Sequence, residues 1–167
     1  MTTSARPPLA ISRTFPLAAA DAWDLLADPR HHPRWIPLTR VEVQGSPLAV
    51  GWRVVATSGP FARRGAPGVR DRMRLDFVVP PTTSAQGVAV FTKLGPLLLG
   101  TAEVRVAPRG DRASIVTWVE DVYLAGPLPP ALTRRVLAPV LAGMVRLALW
   151  RAAREVASGH EEHPNEG

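Results

Sequence analysis

Cysteine is absent from the 167 residues, which excludes disulfides, thiolate metal sites and cysteine nucleophiles and leaves the fold to stand on packing alone. Lysine is nearly absent too: Lys93 stands alone beside 19 arginines, and Tyr123 is the sole tyrosine. No histidine lies between His32 and His160, so no Ser/His/Asp or Cys/His set is recognisable. Glycine motifs that cradle phosphate are missing, which argues against a nucleotide cofactor. No cofactor and no metal are expected. No run reaches ~18 uninterrupted apolar residues, and the opening MTTSARPPLA lacks the apolar stretch of a signal peptide. These absences predict a soluble cytoplasmic protein with no stable membrane insertion.

What is present predicts one domain. Hydrophobic residues make up 46% of the chain and no break in composition divides it, so a single core can form. We expect a flexible N-terminus over 1–8, a domain over 9–157 and a disordered polar tail over 158–167, where GHEEHPNEG has too little apolar content to order itself. His160 and His163 in that tail lack the supported helix of a zinc-peptidase pair. His31-His32 sits in a turn, where exposure or backbone hydrogen bonding is expected rather than metal binding. The net charge of +6 is almost wholly arginine, a bias that reads as codon usage of a GC-rich, bacterial-type genome. Nucleic acid would need arginines gathered on one helix or groove. Here they are dispersed, and Arg70, Arg72 and Arg74 alternate with Asp71, Met73 and Leu75 as the solvent face of a strand does. Nucleic acid is not an expected partner.

The stretch FPLAAADAWDLLADPRHHPRWIP, residues 15–37, is the most specific in the chain. Ile11, Arg13 and Phe15 alternate with Ser12 and Thr14 as in a strand, and Pro16 ends the ladder because it has no N–H to give. Ala18 to Ala27 predicts a helix with Asp21 and Asp24 in its first turns, where the dipole favours negative charge. Asp28-Pro29 ends that helix, and Pro33 to Trp35 predicts a second short one, closed by Pro37. Beyond it come a hairpin of Val41 to Gln44 with Trp52 to Thr57, a mobile loop over 58–68, and a long strand from Val69 to Val79. On that strand Val69, Asp71, Met73, Leu75, Phe77 and Val79 are expected to share one face. Strands near Gln86 to Leu94, Leu99 to Ala107 and Ser114 to Leu124 follow. The last element is a helix of about Pro129 to Ala157. Leu132, Val136, Val140, Met144, Leu147 and Arg151 form one stripe on it, Leu137, Leu141, Val145 and Leu149 another. Pro139 inside this helix is expected to kink or split it, possible as a lid over a pocket, or to be tolerated near the helix start.

On Phe15, Pro16, Ala22-Trp23, Leu25-Leu26, Asp28, His32-Pro33-Arg34-Trp35, Pro37, Val41-Glu42, Gly51, Val69 to Met73, Pro80-Pro81 and Trp118-Val119-Glu120-Asp121, the chain resembles the START-like superfamily of polyketide cyclases, dehydrases and lipid carriers, also called SRPBCC. The resemblance covers roughly residues 9 to 157. It implies an α+β helix-grip fold: a curved antiparallel sheet of about seven strands around a long C-terminal helix, with two short helices after the first strand. It is specific for fold and weak for function, because this scaffold hosts carriers, receptors, enzymes and chaperone-binding modules alike.

A sheet curled around an apolar helix encloses space suited to a small hydrophobic ligand, a lipid, polyketide, or other aromatic or isoprenoid molecule. Trp35, Trp52, Met73, Leu75, Phe77, Trp118, Val140 and Met144 are expected to contact it, and Asp71 and Glu120 to orient it. A carboxylate on an apolar face carries a raised pKa unless a cation pairs with it, so Asp71 and Glu120 are also the weak catalytic candidates of an alternative reading, a cyclase, aromatase or dehydratase. Arg53, Arg72 or Arg105 are the expected partners if the two carboxylates serve the fold instead. A protein-interaction module is a further alternative, with the basic loop of Ala62 to Gly65 and Leu97-Leu98-Leu99 as contact candidates. The chain is expected to be a monomer or homodimer.

Overall fold

The computed structural model describes residues 7–161. Seven strands, β1 (Leu9–Phe15), β2 (Thr39–Gln44), β3 (Arg53–Ser58), β4 (Val69–Val79), β5 (Gly87–Leu94), β6 (Leu98–Pro108) and β7 (Ser114–Leu124), form one antiparallel sheet in the order β1-β7-β6-β5-β4-β3-β2. Helix α1 (Ala19–Leu26) and a 3-10 helix at Pro29–Arg34 follow β1, and helix α2 (Pro130–Glu161) ends the described chain. This is the helix-grip arrangement. Strands β2 to β7 make a meander of consecutive pairs, and β1 closes it by pairing with β7, Leu9 opposite Glu120 and Phe15 opposite Ser114.

The passage from α1 into the next turn is set by Asp28. Its carboxylate accepts the Arg30 backbone N–H at 2.9 Å as an N-cap, and Pro29 occupies the first helical position, where its missing N–H costs nothing. The second short helix therefore starts at Pro29 rather than at Pro33, with Trp35 as its C-terminal cap residue. Arg30 also donates to the Asp28 carboxylate from its side chain and lies over the Trp52 ring at 5.8 Å, tying the turn to the start of β3. The segment after β3 is less loose than its composition suggests. It holds a 3-10 turn at Ala62–Arg64 with Ala62 fully buried, and the Arg40 side chain donates to the Ala62 carbonyl.

The core fills the space between the inner sheet face, α1 and α2. Phe15, Leu26, Trp35, Trp52, Val54, Leu75, Val106, Val116, Val145 and Leu149 are almost fully buried there. In α2 the buried stripe is Ala142, Val145, Ala148, Leu149 and Ala152, packed along β7 and β1. The neighbouring stripe turns outward: Leu132, Val136 and Val140 are exposed. By length and composition α2 could cross a membrane, and 28% of its most apolar window is buried. The expected kink does not divide it. Pro139 lies inside an unbroken helix on the solvent side, so the carbonyl of exposed Arg135 that loses its donor can meet water instead. Helix α2 also continues to Glu161, past the expected start of the tail at 158, while His163 lies outside the described residues.

One local irregularity changes which side chains face inward. A bulge in β4 shifts the pairing with β5 between Leu75 and Phe77: Leu75 faces Phe91, but Phe77 already faces Val90. The extra residue, Asp76, inverts the alternation beyond it. Leu75 is fully buried, Phe77 is 51% exposed, and Val78 packs against the core instead.

Candidate functional site

On the inner sheet face three ionisable side chains converge. Lys93 of β5 donates a hydrogen bond to Asp71 Oδ2 of β4 at 2.5 Å and stands 3.8 Å from Glu120 Oε2 of β7. The Lys93 and Glu120 side chains are almost wholly buried, at 5% and 3% exposure, and Asp71 is mostly buried. Alternation puts Lys93 on the face of Ala89 and Phe91, and the register sets it opposite Met73 on β4 and Gly100 on β6. The ammonium reaches two strands over because β6 offers only Gly100 and Ala102 at the intervening positions. Gly100 has φ of +112°, and a Cβ there would lie 1.9 Å from the Asp121 carbonyl oxygen. A side chain at this point is excluded by the backbone itself.

Hydrogen bonding leaves the cluster incomplete. The Trp118 indole N–H donates to Glu120 Oε1 at 3.0 Å, and Lys93 also approaches the Met73 sulfur at 3.6 Å. Asp71 Oδ1 and Glu120 Oε2 are buried with no hydrogen-bond partner among the described residues. Burial pushes the Glu120 carboxyl above its ordinary pKa and the Asp71 charge adds to this, outweighing the opposite pull of Lys93 and the Trp118 N–H. Burial works against the Lys93 ammonium, but Glu120 and Asp71 overcome it and raise its pKa. Lys93 is thus held as an ammonium and unsuited to act as an amine nucleophile. Two carboxyls share one cation, and burial shifts Glu120 toward its protonated form.

The wall beside the cluster is aromatic. The buried His32 ring lies 4.8 Å from Trp118 and 6.2 Å from Trp35, centroid to centroid. Its Nε2 is 3.1 Å from the Leu26 carbonyl oxygen, which can only accept, so Nε2 carries the proton. Burial drives the His32 pKa down to about 4. The backbone hydrogen bond expected of this turn is met, and among the described residues no group of three or more His, Cys, Asp or Glu is placed to hold a metal. Trp35 is buried, donates to Glu155 Oε2 of α2 at 2.7 Å, and accepts from Arg151 through its carbonyl. It ties α2 to the short helices.

Of the expected site residues, Asp71, Met73, Leu75, Trp118 and Glu120 share the inner sheet face, and half-buried Met144 packs on the same core from α2. Trp52 is fully buried beside them at the start of β3, its indole N–H unpartnered. Two residues leave the site: Phe77, because of the bulge, and Val140, which is 68% exposed on the outer side of α2. The cation that holds the carboxylates is Lys93 and none of the expected arginines. Arg53 and Arg72 instead help wall a surface groove of about 390 Å³ across β2, β3 and β4, together with Glu42, Gln44, Val55 and Leu94, on the face opposite Lys93. Arg105 pairs with Glu103 on its own strand. The signal that could have pointed to Lys93 is its place: the chain's one lysine at an inward position of an alternating strand.

Comparison with known proteins agrees with this architecture. No curated protein matches the chain. A solution structure from Thermobifida fusca is 24% identical with TM-score 0.65, covering 95% of this chain and 97% of that one. An aromatase/cyclase from a Streptomyces species is 15% identical with TM-score 0.60, covering 92% and 93%. A START superfamily protein from Mycobacterium smegmatis is 14% identical with TM-score 0.59, covering 90% and 99%. At these identities the likeness is one of fold. The family described as polyketide cyclase / dehydrase and lipid transport matches residues 9–157, and the chain, helix-grip sheet and buried inner-face cluster included, belongs to that family.

Proposed function

We propose that this protein binds a small, largely hydrophobic molecule inside the cell, between the inner sheet face and α2, and that Asp71, Lys93 and Glu120 orient its polar end. The observation that carries this reading is the unfinished cluster. Two buried carboxyl oxygens without donors and an ammonium beside them form a costly arrangement in an apolar core, and a ligand polar group that completes the hydrogen bonds relieves that cost. Met73 and Met144 are half-buried, flexible and polarizable, side chains suited to give way to an apolar frame. Trp118 and Leu75 supply the remaining wall. Family membership and the fold likeness to an aromatase/cyclase and a START protein support the reading without supplying the ligand.

The test is native mass spectrometry of the purified protein, with organic extraction of whatever co-purifies, run beside Glu120→Gln and Lys93→Met. A retained apolar molecule that is lost in either variant is the expected result. An empty protein that takes up no lipid-like or polyketide-like probe would sink the proposal.

A second reading rests on Glu120. A carboxyl whose pKa burial raises, fixed by Trp118 and next to an ammonium, is equipped in its protonated form to protonate a carbonyl or leaving hydroxyl, as a cyclase or dehydratase requires. Turnover of a bound polyketone-type substrate that disappears in Glu120→Gln while binding persists would establish this chemistry.

A further inference from the structure

We infer that the inner-face cluster selects ligands whose polar end is an uncharged hydroxyl, and that it rejects carboxylates on the same apolar frame. This rests on the binding reading above and extends it to ligand class.

The argument is one of charge and hydrogen-bond inventory. The cluster consists of the Asp71 and Glu120 carboxyls and the Lys93 ammonium. Asp71 Oδ2 and one Lys93 N–H are used on each other, and Glu120 Oε1 is used on Trp118. What remains is acceptor capacity on Asp71 Oδ1 and at Glu120 Oε2, and donor capacity on Lys93. A hydroxyl matches both sides, because it donates to a carboxyl oxygen and accepts from the ammonium. A ligand carboxylate can only accept, and it would enter beside two carboxyl groups. The anionic head therefore meets like charge in a buried setting where screening by water is weak. His32 does not change this count, since it is buried and neutral at pH 7 with its one N–H on the Leu26 carbonyl. Among the described residues, Lys93 is the only cation within ion-pair distance of either carboxylate.

The experiment uses one apolar frame with two heads, 1-decanol and decanoate, titrated into the full chain at pH 7 and followed by calorimetry and by perturbation of Trp118 and Lys93 resonances. Decanol is expected to bind more tightly than decanoate by about tenfold or more. Asp71→Asn, which removes one negative charge and keeps a hydrogen-bonding side chain, is expected to narrow the decanol-to-decanoate gap without abolishing decanol binding. If Asp71→Asn does not fold, the decanol-to-decanoate comparison on the unsubstituted chain still decides the selectivity. Decanoate binding as tightly as decanol at this site would overturn the selectivity while leaving the ligand-binding reading intact. Binding of neither, together with no extracted ligand, would overturn both.

Discussion

Lys93→Met would leave Asp71 and Glu120 buried together without a cation. Removing one partner of a buried ionic group is strongly destabilising, about 3–5 kcal/mol, and the loss should show as a lower midpoint in urea. Neutralising the carboxyls as well, in the Asp71→Asn, Glu120→Gln, Lys93→Met triple variant, should recover part of it, because the penalty lies in the uncompensated charge rather than in lost contact area. His32 gives a different signature. The unfolded chain takes up the imidazole proton near pH 6.5, whereas the folded protein resists it down to about 4. Stability that His32 contributes is therefore fully present above pH 6.5 and is lost as pH falls towards 4, by roughly 3 kcal/mol. Chemical denaturation at successive pH values should reveal that slope, and His32→Gln, which keeps a donor for the Leu26 carbonyl but cannot titrate, should lack it. Asp28→Ala removes the N-cap of the 3-10 turn and should cost about 1–2 kcal/mol in the same assay.

Helix α2 separates what packing decides from what composition suggests. Leu149→Ala on its buried stripe should cost about 2–5 kcal/mol, whereas Val136→Glu or Val140→Glu on the outward stripe should change stability by no more than about 0.5 kcal/mol. Periodicity made both stripes readable from the sequence, but it could not say which one the sheet would cover. The order of strands and helices was legible because prolines and glycines punctuate alternating runs, and β7 falls at the expected residues, Ser114 to Leu124. The bulge at Asp76 was not legible. Strict alternation assigns Phe77 to the inner face, and only the pairing of β4 with β5 moves it out. Lys93 was not legible as the partner of Asp71 and Glu120 for a related reason: arginines outnumber it nineteen to one, and the reach of a lysine across Gly100 and Ala102 depends on register between three strands.

Taken as one body, the chain owes its candidate site to strands distant in sequence, since β4, β5 and β7 each contribute one member of the cluster. Five of the six strand pairings, β2 with β3 through β6 with β7, join neighbours along the chain. The sixth does not: β1 meets β7 across a separation illustrated by the Ser12 and Thr117 hydroxyls, hydrogen-bonded to each other 105 residues apart. Closing so long a loop carries an entropic cost that the local hairpins escape. The sheet should therefore assemble as a meander first and admit its N-terminal strand after the rate-limiting step. Ile11→Ala in β1 should accelerate unfolding and leave the refolding rate nearly unchanged. The strand that covers the Glu120 side of the cluster, through the pairing of Leu9 with Glu120, is then the last to arrive, so the ionic core would be wet throughout the early life of every newly made molecule.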